Sequence, residues 1–374
     1  MSRRIDAIDV VRGVAILGTL WTNIWLFTDP WGLLGGLSAV GQGGEAWIQA
    51  LSQGKFLALL TLTFGVGLAI QHDSAVRRGV RWPGRYLWRA FLLLLDGVVN
   101  YILIAEFDVL MGYAVTGAIV AWLLLTRPRT QRVVIAVTGS LHLLVITGLA
   151  LLLTTVPPSE PPTGVSPYAS ESFLGLAAFR LENVLAFRAE PVLIGCLSIA
   201  MFLLGAHLHR AGVFAEAGAR IRRRLMLLGG LALPVDLALG GLGGEAGVLL
   251  QRYAIAPLVA LGLLALLAEL CLRRGTDGWA PRRLREVGRV ALSAYLLQNL
   301  LAGAVFYGWG LGLAELLGEL RTPVTLAAWA AISAAIVLAA HLWLRRFRLG
   351  PVEWLWKRGE QLLPERRRAD APVP

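Results

Sequence analysis

The chain has 374 residues, 56% of them hydrophobic and 16% charged, with a mean hydropathy of +0.65 and a net charge of +11. Length alone suggests two soluble domains, but several apolar runs reach about 18 residues or more, enough to cross ~30 Å of hydrocarbon, which excludes a soluble fold. The basic excess sits in short Arg clusters between apolar runs, which excludes a duplex-binding domain and any nucleic-acid partner. Two cysteines, Cys196 and Cys271, both within apolar runs, support neither a disulfide framework nor a thiolate metal site.

Taken in chain order, ten spans are predicted at 8–27, 46–70, 87–105, 108–126, 132–154, 190–209, 224–242, 249–272, 289–312 and 323–344. Arg3 and Arg4 ahead of the first run resemble a signal peptide. That run is too long for an apolar signal core and lacks a small-residue cleavage site, so it reads as a retained helix. Alternate connections hold 29 of the 35 Lys and Arg residues; the opposite ones hold only Arg180, Arg188, Arg252 and Arg321. The positive-inside rule then places both termini in the cytoplasm. The predicted fold is an all-α, polytopic integral membrane bundle of about ten transmembrane helices in a bacterial-type plasma membrane. A single domain covers 1–360, and 361–374 reads as a disordered cytoplasmic tail. The long external connection, 155–189, opens Pro157-Pro158-Ser159-Glu160-Pro161-Pro162. Its proline density favours a plain linker over a cap on an external cavity.

Polar residues within the spans are the site candidates, because such groups are costly against lipid. Span one carries Asp9, Arg12, Thr19 and Asn23 on one stripe. Asp9 and Arg12 fit an i,i+3 ion pair at a helix end, or Arg12 offers its planar fork to a phosphate or carboxylate arriving from the cytoplasm. In span two, Lys55 either snorkels or pairs with Asp29, Glu45, Glu106 or Asp108. Span three places Asp96 and Asn100 one helical turn apart, for a site or an interhelical hydrogen bond. Glu106 and Asp108 occupy a short external turn before Tyr113. His142, deep in span five, fits a neutral ring donating to a backbone carbonyl. In span nine, Tyr295, Gln298 and Asn299 share an inward face. No metal-ligand spacing, P-loop, dinucleotide fingerprint or nucleophile elbow appears.

Five separate stretches resemble one family. They are Asp9-Val10-Val11-Arg12-Gly13 through Asn23; Lys55-Phe56 through Phe64-Gly65-Val66-Gly67; Asp108-Val109-Leu110-Met111-Gly112-Tyr113-Ala114; Gly288-Arg289-Val290-Ala291-Leu292-Ser293-Ala294-Tyr295 through Gln298-Asn299; and Gly350-Pro351-Val352-Glu353-Trp354. In this order they resemble the YeiB-like family, catalogued as domain of unknown function 418. That family looks related to transmembrane acyltransferases, including acyltransferase family 3 and the lysosomal heparan glucosaminide N-acetyltransferase, which use cytosolic acyl-CoA. The resemblance puts Arg12 at the place of a first-helix Arg. Asn23 stands where family 3 has a histidine thought to act in catalysis, and Asn100 where YeiB-like proteins often have another. With amides at both places, Asp96, Asp108, Glu106 and, less readily, His142 are the candidate bases.

Two functions stay open. As an acyltransferase, the chain would bind acyl-CoA, as a co-substrate with no tightly bound cofactor or metal, on Arg12 and Arg289. Asp108 or Asp96 would activate a sugar, lipid or small-molecule acceptor, and Asn23, Gln298 or Asn299 would donate to the oxyanion. Lys55, Tyr113, Tyr295 and Gln298 are the substrate-binding candidates. As a transporter or flippase for a small or lipid-linked anion, Asp96, Lys55 and Arg12 would line a path instead. The expected partners are membrane lipids and these substrates, and a homodimer stays open.

Overall fold

The computed structural model describes residues 6–39, 41, 43–157 and 162–362. Arg3, Arg4, the central prolines of the external connection and the expected tail beyond 362 lie outside the described residues. Seventeen helices and no strand make up the described chain. They are α1 (Asp6–Phe27), α2 (Gly44–Ser52), α3 (Lys55–Arg77), α4 (Arg85–Leu103), α5 (Leu110–Leu123), α6 (Pro128–Leu153), α7 (Pro167–Ser170), α8 (Phe173–Glu182), α9 (Val184–Leu193), α10 (Gly195–Arg210), α11 (Ala219–Leu242), α12 (Gly244–Leu250), α13 (Ala256–Arg274), α14 (Trp279–Arg289), α15 (Ala291–Phe306), α16 (Arg321–Arg346) and α17 (Pro351–Gln361). A π-helical turn, Gln251–Ile255, joins α12 to α13.

Among the described residues seven stretches are long and apolar enough to cross a membrane, and nine if the bent pairs α9–α10 and α14–α15 each form one crossing. Helix α5, with 14 residues, is shorter than the ~20 a full crossing takes. The expected ten therefore becomes seven to nine long crossings plus this short apolar helix. Burial sorts them: the apolar windows of α1 and α2–α3 are 72% buried, those of α6, α11 and α16 only 17–22%. Thus α1 and α3 form the axis, and the others present leucine and valine outward, as lipid-facing helices do.

Two expectations are corrected. The span predicted at 289–312 is shorter than expected: α15 ends at Phe306, and at its start the separate helix α14 meets it at 89°. The charged α14 packs on the first turns of α1, and the apolar α15 follows the bend. The long connection expected at 155–189 is not a plain linker, since α7, α8 and α9 fold within 167–193. Its anchor is Arg180, 1% exposed, whose Nε donates to Glu106 Oε2 at 3.1 Å. The same guanidinium donates to the carbonyls of Ile102 and Ile104 at 3.1 and 3.2 Å. It thereby satisfies acceptors that the end of α4 leaves open. A sequence pattern does not reveal that satisfaction, because the acceptors belong to another helix.

Small residues set the closest helix crossings. A Cβ on Gly288 of α14 would lie 1.8 Å from the Asp9 carbonyl oxygen of α1, and one on Gly13 would lie 2.1 Å from that of Leu284. Gly65 and Gly205 serve the α3–α10 crossing in the same way, against the carbonyls of Phe202 and Leu62. Backbones thus meet where any side chain would part them. Gly288→Ala should destabilise the protein by about 1–3 kcal/mol through overpacking. Gly139→Ala, whose Cβ would meet nothing within 4 Å, should change stability by less than about 1 kcal/mol, in the stabilising direction. Thermal unfolding in nanodiscs compares the two; equal midpoints would contradict the crossing's importance.

Candidate functional site

A cavity of about 520 Å³ enters the bundle from its Arg-rich face. Arg12, Arg89, Arg289 and Lys357 surround its mouth, with Glu353 and Glu360; Ile16, Leu60, Phe64, Leu93 and Leu292 form an apolar throat; Leu110 and Tyr295 lie at its floor. The volume falls within the ~300–1,000 Å³ typical of small-molecule sites. Arg12, with 31% of its side chain exposed, stands 3.7 Å from Asp9. Its guanidinium occupies the notch left by Gly67, where a Cβ would approach Nη2 to 2.8 Å. The second-helix glycines therefore make room for the cation as well as for α10.

One wall is built by two motifs that meet in space. Glu353 Oε1 accepts from the backbone N–H groups of Leu292 and Ser293 at 2.9 and 3.2 Å, and Oε2 accepts from Ser293 Oγ at 2.5 Å. This carboxylate caps α15 just after the bend, satisfying donors that the helix start leaves free and favouring the positive end of its dipole. Gly350 permits the contact, since a Cβ there would lie 2.1 Å from Glu353 Oε2. Helix α17 then continues along the mouth. Trp356 donates its indole N–H to Asp96, Trp88 donates to the Gly359 carbonyl at 2.9 Å, and Arg89 pairs with Glu360. Asp96, expected to serve a site or an interhelical hydrogen bond, makes such a bond to Trp356, whose ring lines the cavity.

Three expected site residues line the cavity directly: Arg12 and Arg289 at the mouth and Tyr295 at the floor. Two more lie next to the floor. The Tyr295 hydroxyl approaches Asn299 and the Val109 backbone, and feels the Asp108 charge. Asp108, 1% exposed, sits in the turn ahead of α5. It accepts from Asn100 Nδ2 at 2.8 Å and from the Met111 N–H at 2.9 Å. Burial pushes its carboxyl up to about 6, against the lowering effect of these hydrogen bonds. Gln298 shares the Tyr295 face one turn on and is fully buried. A Cβ on Gly303 would lie 3.8 Å from the Phe27 ring, so α15 reaches the end of α1 that carries Asn23, 8% exposed. Asn23 is about 16 Å along α1 from Arg12.

Two candidates sit elsewhere. The Tyr113 hydroxyl is bound to Thr61 Oγ1 at 2.6 Å, and its ring packs 4.7 Å from Phe64, behind the throat. Lys55 pairs with Asp236 of α11, none of the partners the sequence suggested, and donates to the Ala50 carbonyl at 2.6 Å. Gln251 Nε2 joins them, donating to Asp236 Oδ2 at 3.0 Å and to the Ala50 carbonyl at 2.9 Å. Gln251 opens the π-helical turn, whose Tyr253 carbonyl accepts from His142 Nε2 at 3.0 Å. This cluster is a buried tie between α2, α3, α6 and α11, remote from the cavity.

With this geometry in hand, likeness to known proteins can be placed. Residues 208–362 match the family described as protein of unknown function DUF418. The chain is 31% identical to the uncharacterized protein YeiB of Escherichia coli (strain K12), over 94% of each chain. The chain belongs to the YeiB-like DUF418 family. It is also 27% identical to the uncharacterized protein YxaH of Bacillus subtilis (strain 168), over 95% of this chain and 94% of that one. The DUF418 match contains α14, α15 and α17, the whole wall that carries Arg289, Tyr295, Glu353 and Lys357. Of the cavity's polar groups, sequence reasoning missed Gln71, Tyr86, Arg89, Glu353, Trp356, Lys357 and Glu360. For Glu353 the family's Gly-Pro-x-Glu box was a signal in plain view, though its partner at Ser293 was not.

The Lys55–Asp236 tie has a measurable cost if broken. Lys55→Met leaves a buried carboxylate uncompensated and should cost about 3–5 kcal/mol, whereas Lys55→Met with Asp236→Leu should recover most of that loss. Thermal unfolding of the single and double variants checks this; a double variant no better than the single would refute the pairing.

Proposed function

We propose that the chain is a membrane acyltransferase whose cavity draws acyl-CoA from the cytoplasm. The observation that carries this reading is one continuous cavity that joins a mouth of four cations to an apolar throat and a hydroxyl at the floor. Phosphates of the donor fit the guanidinium forks of Arg12, Arg89 and Arg289, with Lys357 as a further point charge. The apolar throat suits the pantetheine arm and acyl chain, which brings the thioester carbonyl to Tyr295. The phenol then donates to the carbonyl oxygen as negative charge develops there. An acceptor hydroxyl or amine attacks the carbonyl carbon, the C–S bond breaks, and Asp108 passes the acceptor's proton to the departing thiolate. In this reading α5 counts as a tenth crossing, both termini lie in the cytoplasm, and the bacterial plasma membrane supplies lipid around the bundle.

The reading is tested in nanodiscs with CoA and acetyl-CoA. CoA at 100 times its Kd should stabilise the protein by about 2.7 kcal/mol, and Arg12→Ala or Arg289→Ala should abolish the shift. Acetyl-CoA thiol release should climb with pH through about 6, because Asp108 accepts a proton only once it has lost its own. Asp108→Asn should remove that limb together with the activity. Undiminished thiol release in both Arg12→Ala and Asp108→Asn would overturn the assignment. Uptake of an anion by proteoliposomes with no thioester cleavage would mark a transporter instead.

A further inference from the structure

Beyond the floor of the cavity lies a set of polar atoms with nothing to bind. Gln298 and Asn299 are fully buried and Tyr295 is 2% exposed. Neither atom of the Gln298 amide has a hydrogen-bond partner, and the Asn299 amide and the Tyr295 hydroxyl, though near one another and the Val109 backbone, make no well-aligned bond. The Asn100 Oδ1 atom, whose amide nitrogen is tied to Asp108, is orphaned as well. Tyr295, Gln298 and Asn299 stand at i, i+3 and i+4, so their side chains share one face of α15, with Cβ atoms about 5–6 Å apart. Each buried polar atom left unmade costs about 1–3 kcal/mol. Leucine at these places would carry no such cost, so structural packing does not account for three of them on one face.

We infer that Tyr295, Gln298 and Asn299 form the acceptor subsite, and that it takes an uncharged, hydroxyl-bearing group. The reasoning is one of matching partners. The layer mixes donors (two amide NH₂ groups) with acceptors (two amide oxygens, the phenol oxygen and Asn100 Oδ1). A hydroxyl both donates and accepts, so it satisfies both kinds. A carboxylate would satisfy the donors and leave the amide oxygens facing a negative charge, and an ammonium would do the reverse. The orphaned atoms have almost no accessible area, so the subsite is closed in this structure. Entry of the hydroxyl group requires the Tyr295 side chain to yield.

This inference rests on the acyltransferase reading and narrows it to ester formation. The acceptor oxygen bonds to the thioester carbonyl carbon, the C–S bond breaks, and the hydroxyl proton ends on the thiolate sulfur, giving an ester and CoA thiol. No oxidant or reductant enters the balance.

The experiment uses the full chain in nanodiscs and three small probes that differ in one group: glycerol, serinol (ammonium in place of one hydroxyl) and glycerate (carboxylate). Thermal shift is read for each, with and without CoA. Glycerol alone should raise the unfolding midpoint, and Asn299→Leu should abolish that rise while leaving the CoA shift intact. Asn299→Leu should itself raise the midpoint of the ligand-free protein, because it removes two orphaned atoms. A CoA shift with no glycerol response, or a larger response to serinol or glycerate, overturns the inference while the donor site stands. A glycerol response lost in Asn299→Leu with no CoA shift keeps the polar subsite and fails the donor reading. A lower midpoint for ligand-free Asn299→Leu, with Asn299→Asp also failing to change the glycerol response, marks the layer as structural and overturns the inference.

Discussion

The architecture of the site depends on one backbone contact, Gly288 against the Asp9 carbonyl. Because Gly288 has no Cβ, α14 can rest on the first turns of α1. The chain then turns by 89° into α15, which carries Tyr295 inward while Arg289 stays at the mouth beside Arg12. A helix that begins at a bend exposes its first N–H groups, a cost water does not relieve beside lipid. Glu353 meets it by binding Leu292 and Ser293. The crossing and the cap together fix the cavity wall, and each comes from a glycine and a carboxylate that family motifs contain.

Much of this was legible in the sequence because membranes restrict the choices. Apolar runs give the helices, and Arg clusters divide the connections into two classes. Arg12, Arg289 and Tyr295 could be nominated because polar residues on apolar helices have few places to go. Their convergence on one cavity could not be read, since it depends on the bend after Arg289. The apolar pattern starts the span at Arg289 but does not show the angle at which the charged helix before it arrives. Lys55 illustrates the same limit. Its need for a carboxylate was evident, but the partner lies on α11, and no spacing rule links α3 to α11. Arg180 was hidden for a different reason: proline density describes local backbone preference, while a single guanidinium satisfying three acceptors of α4 and its following turn overrides it.

Charge pairing, rather than complete hydrogen-bond satisfaction, marks the supporting ties, since Asp236 Oδ1 and Gln251 Oε1 are themselves without partners. The two deepest charge pairs, Lys55–Asp236 and Arg180–Glu106, are each reinforced by further hydrogen bonds. That is what a buried pair needs to offset desolvation. They stand away from the cavity and tie helices together. The mouth differs. Its cations line an open space alongside carboxylates that cap or latch α15 and α17, so positive potential is concentrated where a soluble anion would enter.

Neutral amides behave oppositely to those pairs. In a low-dielectric interior, an unpaired amide weakens the fold but, unlike a charge, does not forbid it. A protein can therefore leave Gln298 and Asn299 unpaired within a stable bundle, where the same neglect of Asp236 would be ruinous. That asymmetry explains how one molecule divides its polar residues. Charges hold the helices or face solvent at the mouth, and uncharged hydrogen-bonding groups are kept, unsatisfied, at the depth where a reacting group would have shed its water. A subsite built from amides and a phenol gains its partners only when occupied, so the stability missing from the empty protein becomes binding energy for whatever fills it.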